Sequence, residues 1–176
     1  MSVLVRPRLD EDLPDLGLLA EAVYRTDEYP IYRPADLVQD FLVSSDAIEG
    51  WVAESDGEVL GHVALHNSSW SGVMREARES TGRADDQLAV VARLLVSPHA
   101  RSRGLGTALL DAATAKAQNL RRLAILDVGT TYTAAVKLYE ATGWQRIGTV
   151  DFPLPDGHSL PEYVYVSPEW TGELSA

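Results

Sequence analysis

Leu88-Ala89-Val90-Val91-Ala92-Arg93-Leu94-Leu95-Val96 runs directly into Ser97-Pro98-His99-Ala100 and then into Arg101-Ser102-Arg103-Gly104-Leu105-Gly106. The first nine residues carry a single charge, Arg93, and are too continuously apolar for a half-exposed strand; they suit a central one. Behind the glycines, Leu105, Leu109, Ala112, Ala113, Ala117 and Leu120 fall on one face of a helix spanning Leu105–Leu120. Glycines where a loop enters a helix let the backbone approach a ligand without Cβ interference. The first helical N–H groups have no intrahelical partner, and the helix dipole adds partial positive charge there. With Arg101 and Arg103 beside it, this turn suits a phosphate or pyrophosphate; a solvated glycine turn is the plain alternative.

Outward from this stretch the chain alternates short strands and helices. Val3–Arg6 reads as a strand, and Asp10 and Asp12 as caps of a helix with Leu13, Leu16, Leu19, Ala20 and Val23 inward. The segment 27–34 is a proline-interrupted loop, followed by a short helix over Ala35–Leu42. Trp51–Glu54 and Val59–His66 form a hairpin around Ser55-Asp56-Gly57. Asn67–Gln87 is polar with both signs of charge, and fits either a long excursion or a helix around Val73–Glu79. Leu123–Val128 is a strand and Thr133–Thr142 a helix, and Trp144–Phe152 pairs with Tyr163–Val166 across Pro155-Asp156-Gly157. The class is α/β with a mixed sheet. No linker or repeat divides the chain, so residues 1–176 read as one domain.

Composition narrows the function. Hydrophobic residues at 45% and charged residues at 23% describe a folded protein. Fifteen basic against 26 acidic residues give a net charge of −11, which disfavours nucleic acid as a partner. No apolar run approaches a membrane span, and the start lacks the apolar core of a signal peptide, so the expected location is cytoplasmic. Without cysteine there is no thiolate metal site and no cysteine nucleophile. A triphosphatase loop would need Gly-Lys-Ser/Thr after the glycines, which is missing. A dinucleotide fingerprint would need a third glycine where Leu109 stands, so Asp127 as a ribose ligand falls with it.

Val91–Pro98, followed by Arg101-x-x-Gly104-x-Gly106, resembles the acetyl-coenzyme A signature of the GNAT N-acetyltransferase superfamily. Ala135-Val136-Lys137-Leu138-Tyr139-Glu140-Ala141-Thr142-Gly143-Trp144 is similar to that family's second motif. The resemblance reaches to about Tyr165. It implies a GNAT-like mixed, mostly antiparallel central sheet with a splayed central strand pair, flanked by helices. It also implies transfer of an acetyl group from acetyl-coenzyme A to a primary amine by direct attack. By resemblance, Arg101, Ser102, Arg103, Gly104, Leu105, Gly106 and Thr107 hold the pyrophosphate, and Leu94, Leu95 and Val96 offer backbone groups to the pantetheine arm. One amide there would stabilise the oxyanion, an effect typically worth about 3–4 kcal/mol. Ala135, opening the second motif, joins the cofactor set, and Tyr139 matches the general acid that protonates the leaving thiolate. Tyr132 stands where the family often has an asparagine, removing one amide from the cofactor arm. That departure motivates the alternative of a non-catalytic acyl-coenzyme A sensor on the same scaffold.

An amine must be neutral to attack, so a base is expected. His62 and His66 share a strand face, and His66, nearer the strand end, is the candidate, with Asp85, Asp86 and Glu28 behind it. Two histidines without a third ligand give no metal site, so none is expected. The loop holding Glu28, Tyr29 and Tyr32 would by resemblance form an acceptor wall suited to a cationic amine. A homodimer is expected by resemblance alone.

Overall fold

The computed structural model describes residues 3–172. Seven strands form one sheet in the order β1-β2-β3-β4-β5-β7-β6. They are β1 (Leu4–Pro7), β2 (Ala47–Ser55), β3 (Glu58–His66), β4 (Leu88–Val96), β5 (Leu123–Gly129), β6 (Gln145–Pro153) and β7 (Ser159–Val166). The helices are α1 (Leu13–Asp27), α2 (Ser71–Thr81), α3 (Leu105–Asn119) and α4 (Thr133–Ala141). Pairing is antiparallel between β1 and β2, β2 and β3, β5 and β7, and β6 and β7, whereas β4 and β5 run parallel. This is the mixed, mostly antiparallel sheet flanked by helices that the sequence implies. No helix among the described residues is long and apolar enough to cross a membrane.

The chain groups into two compact units. The first holds residues up to His66 together with Val91–Ala115; the second holds Asn67–Val90 and the chain from Lys116 onward. Both β4 and α3 run from one unit into the other.

In the first unit, α1 lays Leu16, Leu19, Ala20 and Val23 against Val52, Leu95, Phe41 and Leu42. Asp56 (φ 53°) and Gly57 (φ 80°) make the left-handed two-residue turn that the β2–β3 hairpin requires. Beyond Val91, β4 departs from regular strand geometry: Arg93 adopts φ 56°, a conformation rare outside bulges and turns. Two expectations need correction here. Asp12 does not cap α1 with its side chain; its carboxylate turns back to accept the Leu9 N–H at 2.7 Å and to pair with Arg6. The helix expected over Ala35–Leu42 is a single wide turn, Val38–Leu42, because Asp36 accepts the Val38 and Gln39 amides at 2.9 and 3.0 Å and starts the turn after itself.

In the second unit, the segment left open between excursion and helix is α2. Val73, Met74 and Ala77 point inward onto Val164 and Val166 of β7 and Ile147 and Val150 of β6. The helix ends at Gly82 in the left-handed conformation common after helix C-termini. β4 pairs with β5 through Leu88↔Leu123, Ala89↔Ala124 and Val90↔Ile125. Leu120, expected on the buried face of α3, lies just past the helix end and is 43% exposed.

Candidate active site

The glycine turn belongs to the first unit. Ser102 (φ 62°) and Gly104 (φ 79°) are both left-handed, and a Cβ built on Gly104 meets nothing within 4 Å. The first intrahelical bond of α3 joins the Ala108 N–H to the Gly104 carbonyl at 3.0 Å, so the amides of Leu105, Gly106 and Thr107 precede the ladder. Leu105 is buried and Thr107 half-buried, while Ser102, Arg103 and Gly104 are exposed. The turn therefore presents free helical amides beside open space at Gly104, an arrangement that suits an anionic group.

Its flanks are anchored. Arg101 grips Asp27 at the end of α1 with both terminal nitrogens, Nη1 to Oδ1 at 3.0 Å and Nη2 to Oδ2. This ties the loop to the residue before Glu28. Ser97 Oγ meets His99 Nδ1 at 2.8 Å, and His99 Nε2 meets Glu58 Oε1 at 3.1 Å, joining the loop entrance to the β2–β3 turn. Arg103 Nη2 donates to the His99 carbonyl at 3.3 Å. Of the strand residues expected beside the cofactor arm, Leu94 and Val96 are half-buried, whereas the Leu95 side chain is spent in the α1 core.

The acceptor-wall residues are also in this unit, but not as a set. Tyr29 turns its ring edge-on to Phe41, with centroids 5.6 Å apart, and packs against the α1 core. Glu28 (φ 55°) closes the C-terminus of α1, and Tyr32 is exposed. His66 lies on β3, 7% exposed, with Nε2 buried and lacking a hydrogen-bond partner among the described residues. Burial, then the Arg93 charge, pushes its pKa down.

Tyr139 lies in the second unit, buried on α4 beside Trp144 and Tyr165, at centroid distances of 6.3 and 5.9 Å. Ala135, one turn earlier, is half-buried. Asp85 pairs with Arg78 at 2.8 Å on the surface, and Asp86 is exposed.

The second unit adds a group absent from the sequence-derived set. Glu162 of β7 is 9% exposed and accepts the Trp70 indole N–H at 3.0 Å. Register sets it diagonal to Asp127 on the same face, since Asp127 stands opposite Val164 and Gly129 opposite Glu162. Asp127 accepts the Ser69 hydroxyl at 3.1 Å. Burial, reinforced by the Asp127 charge, lifts the Glu162 carboxyl to about 7. Strand alternation puts Glu162 with Val164 and Val166 on the α2 side of β7, and Tyr163 and Tyr165 on the other, where Tyr165 meets Tyr139. One signal was available in the sequence: a carboxylate in phase with two buried valines, one residue before the expected start of the strand.

Comparison with known proteins defines the class. The model of the acetyltransferase (GNAT) family matches residues 17–144, and the chain belongs to that family. An N-acetylaspartate synthetase from Danio rerio is 33% identical over 108 residues, covering 60% of this chain and 33% of that protein. The match thus spans about a third of the length of that curated relative. An N-acetyltransferase from Staphylococcus aureus Mu50 shares the fold at a TM-score of 0.71 with 18% identity, covering 94% of this chain and 98% of that one. Arabidopsis thaliana NAA60, solved in complex with acetyl-CoA, does so at 0.69 with 21% identity, covering 94% and 97%. A GCN5-related N-acetyltransferase from Kribbella flavida gives 0.69 with 23% identity over the same shares.

Proposed function

We propose that the chain, as one acetyltransferase domain, transfers acetyl from acetyl-coenzyme A to a primary amine of a small molecule or peptide by direct attack within a ternary complex. The observation that carries this reading is the left-handed, unobstructed Gly104 turn opening into α3. Amides of Leu105, Gly106 and Thr107 hold the diphosphate there, with Arg103 and Ser102 at its rim, and backbone groups of Leu94–Val96 carry the arm. The name of the Danio rerio relative makes aspartate the first acceptor to try.

Tyr139 is the acid in this reading. A phenol is protonated at neutral pH and gives its proton to the departing coenzyme A sulfur as the C–S bond breaks. Glu162 is the base we favour. A carboxyl poised near 7 takes a proton from the attacking ammonium more readily than an ordinary carboxylate does. His66 is the second candidate, and its depressed basicity counts against it.

Calorimetric titration with acetyl-coenzyme A, followed by thiol release against amino acids, polyamines and peptide N-termini, tests the proposal. Saturable cofactor binding with release on one acceptor class supports it. Cofactor binding without release across the panel would leave only the acyl-coenzyme A sensor.

A further inference from the structure

Arg8, Arg93, His62 and His66 form a polar group in the first unit that the steps above leave largely unused. Arg93 Nε donates to the Phe41 carbonyl at 3.1 Å, and its guanidinium carbon lies 4.3 Å from the centre of the Phe41 ring. Arg8 Nη1 donates to the next carbonyl, Leu42, at 2.8 Å. Consecutive carbonyls therefore hold two half-buried guanidiniums close together. Neither makes a salt bridge among the described residues, in a chain where acidic residues outnumber basic ones 26 to 15.

The imidazoles supply the complementary chemistry. The Arg93 carbonyl can only accept, so His62 Nδ1 donates to it at 2.9 Å and carries the proton. The lone pair is then on Nε2, which is buried and has no partner among the described residues; His66 Nε2, four residues along the same strand face, is also buried without one there. Gly50 stands beside both groups: a Cβ there would lie 3.5 Å from His62 Nε2 and 3.6 Å from Arg8 Nε, in ordinary contact. Asp46 also acts on His66, so one carboxylate stands near the group.

Unused guanidinium N–H groups ask for an anion, and planar forks match a carboxylate. The His62 Nε2 lone pair asks for a hydrogen-bond donor such as an amine N–H, which a carboxylate by itself lacks. A molecule carrying a carboxylate beside an amine satisfies both. We infer that Arg8 and Arg93 bind the carboxylate of an amino-acid acceptor, with His62 Nε2 accepting an N–H from the same molecule. This rests on the acetyl-transfer reading and replaces the cationic acceptor expected from the loop at Glu28–Tyr32.

The test is titration of the full chain with L-aspartate, glycine, ethanolamine and inorganic phosphate, with and without acetyl-coenzyme A, in wild type and in Arg8→Gln and Arg93→Gln. The expected result is saturable binding of the two amino acids and not of ethanolamine or phosphate. Either variant should weaken that binding by about tenfold or more, leaving acetyl-coenzyme A affinity unchanged. Ethanolamine or phosphate binding as well as glycine, or folded variants with unaltered amino-acid affinity, would overturn the inference. Should a variant fail to fold, the wild-type comparison decides alone. Amino-acid binding without acetyl transfer would refute the proposed reaction and leave the carboxylate subsite standing.

Discussion

Trp70 donates its indole N–H to Glu162 Oε2 at 3.0 Å, on the face of β7 opposite the one where Tyr165 meets Tyr139. Burial, then the negative charge of Asp127, lifts this carboxyl to about 7 against the pull of the Trp70 N–H. Glu162→Gln should lower kcat by roughly 10²-fold and remove the rise of kcat/KM through pH 7 expected of the wild type. A variant whose pH profile keeps that limb would take the base role from Glu162.

The same carboxyl makes a stability prediction of opposite slope. Its folded pKa is raised, so between the ordinary carboxylate range and about pH 7 the folded state holds a proton that the unfolded chain has released. Stability from this group therefore falls as pH climbs through that window. Melting curves of wild type and Glu162→Gln should diverge from pH 5 to pH 8, the variant gaining roughly 2–4 °C. Parallel curves would mean that the carboxyl ionises normally.

Tyr139 packs between Trp144 and Tyr165 through its ring, so Tyr139→Phe keeps those contacts and removes only the hydroxyl. Turnover should fall by about 10²-fold with the Kd for acetyl-coenzyme A within twofold of wild type. Unchanged turnover would reduce Tyr139 to a packing residue.

Gly104 combines a left-handed φ of 79° with open space at its Cα. Alanine there meets no clash and suffers only backbone strain of about 1–2 kcal/mol. Gly104→Ala should thus lower stability slightly but weaken acetyl-coenzyme A more, because a methyl group stands where the backbone approaches the diphosphate. Equal losses of stability and affinity would argue that the turn is structural only.

Much of this architecture is written locally. The Leu88–Val96 run, the Asp56-Gly57 turn and the apolar spacing of α3 and α4 each depend on neighbours within a few residues. What escaped depends on partners far along the chain or on side-chain competition. Glu162 takes its character from burial and the Asp127 charge, against the N–H it accepts from Trp70, 92 residues earlier, and His62 is assigned its tautomer by the Arg93 carbonyl, 31 residues on. Asp36 redirects its own backbone and shortens the expected helix, while α2 hides three apolar positions among charges. The glycine turn was legible because its shape is a backbone property; the raised carboxyl of Glu162 was not, because its character is set by its surroundings.

The pairing of Arg101 with Asp27 sets the last prediction. Both terminal nitrogens of the guanidinium are engaged by one carboxylate, so Arg101 acts on the loop by fixing its position, and a phosphate could be reached only through its three remaining N–H donors. The pair is about one-third exposed, so its loss should cost stability only about 1 kcal/mol or less. Asp27→Asn and Arg101→Ala should then weaken acetyl-coenzyme A by similar factors, and the double variant should be no worse than either. If Arg101→Ala alone is the damaging change and Asp27→Asn binds normally, Arg101 touches the phosphates itself.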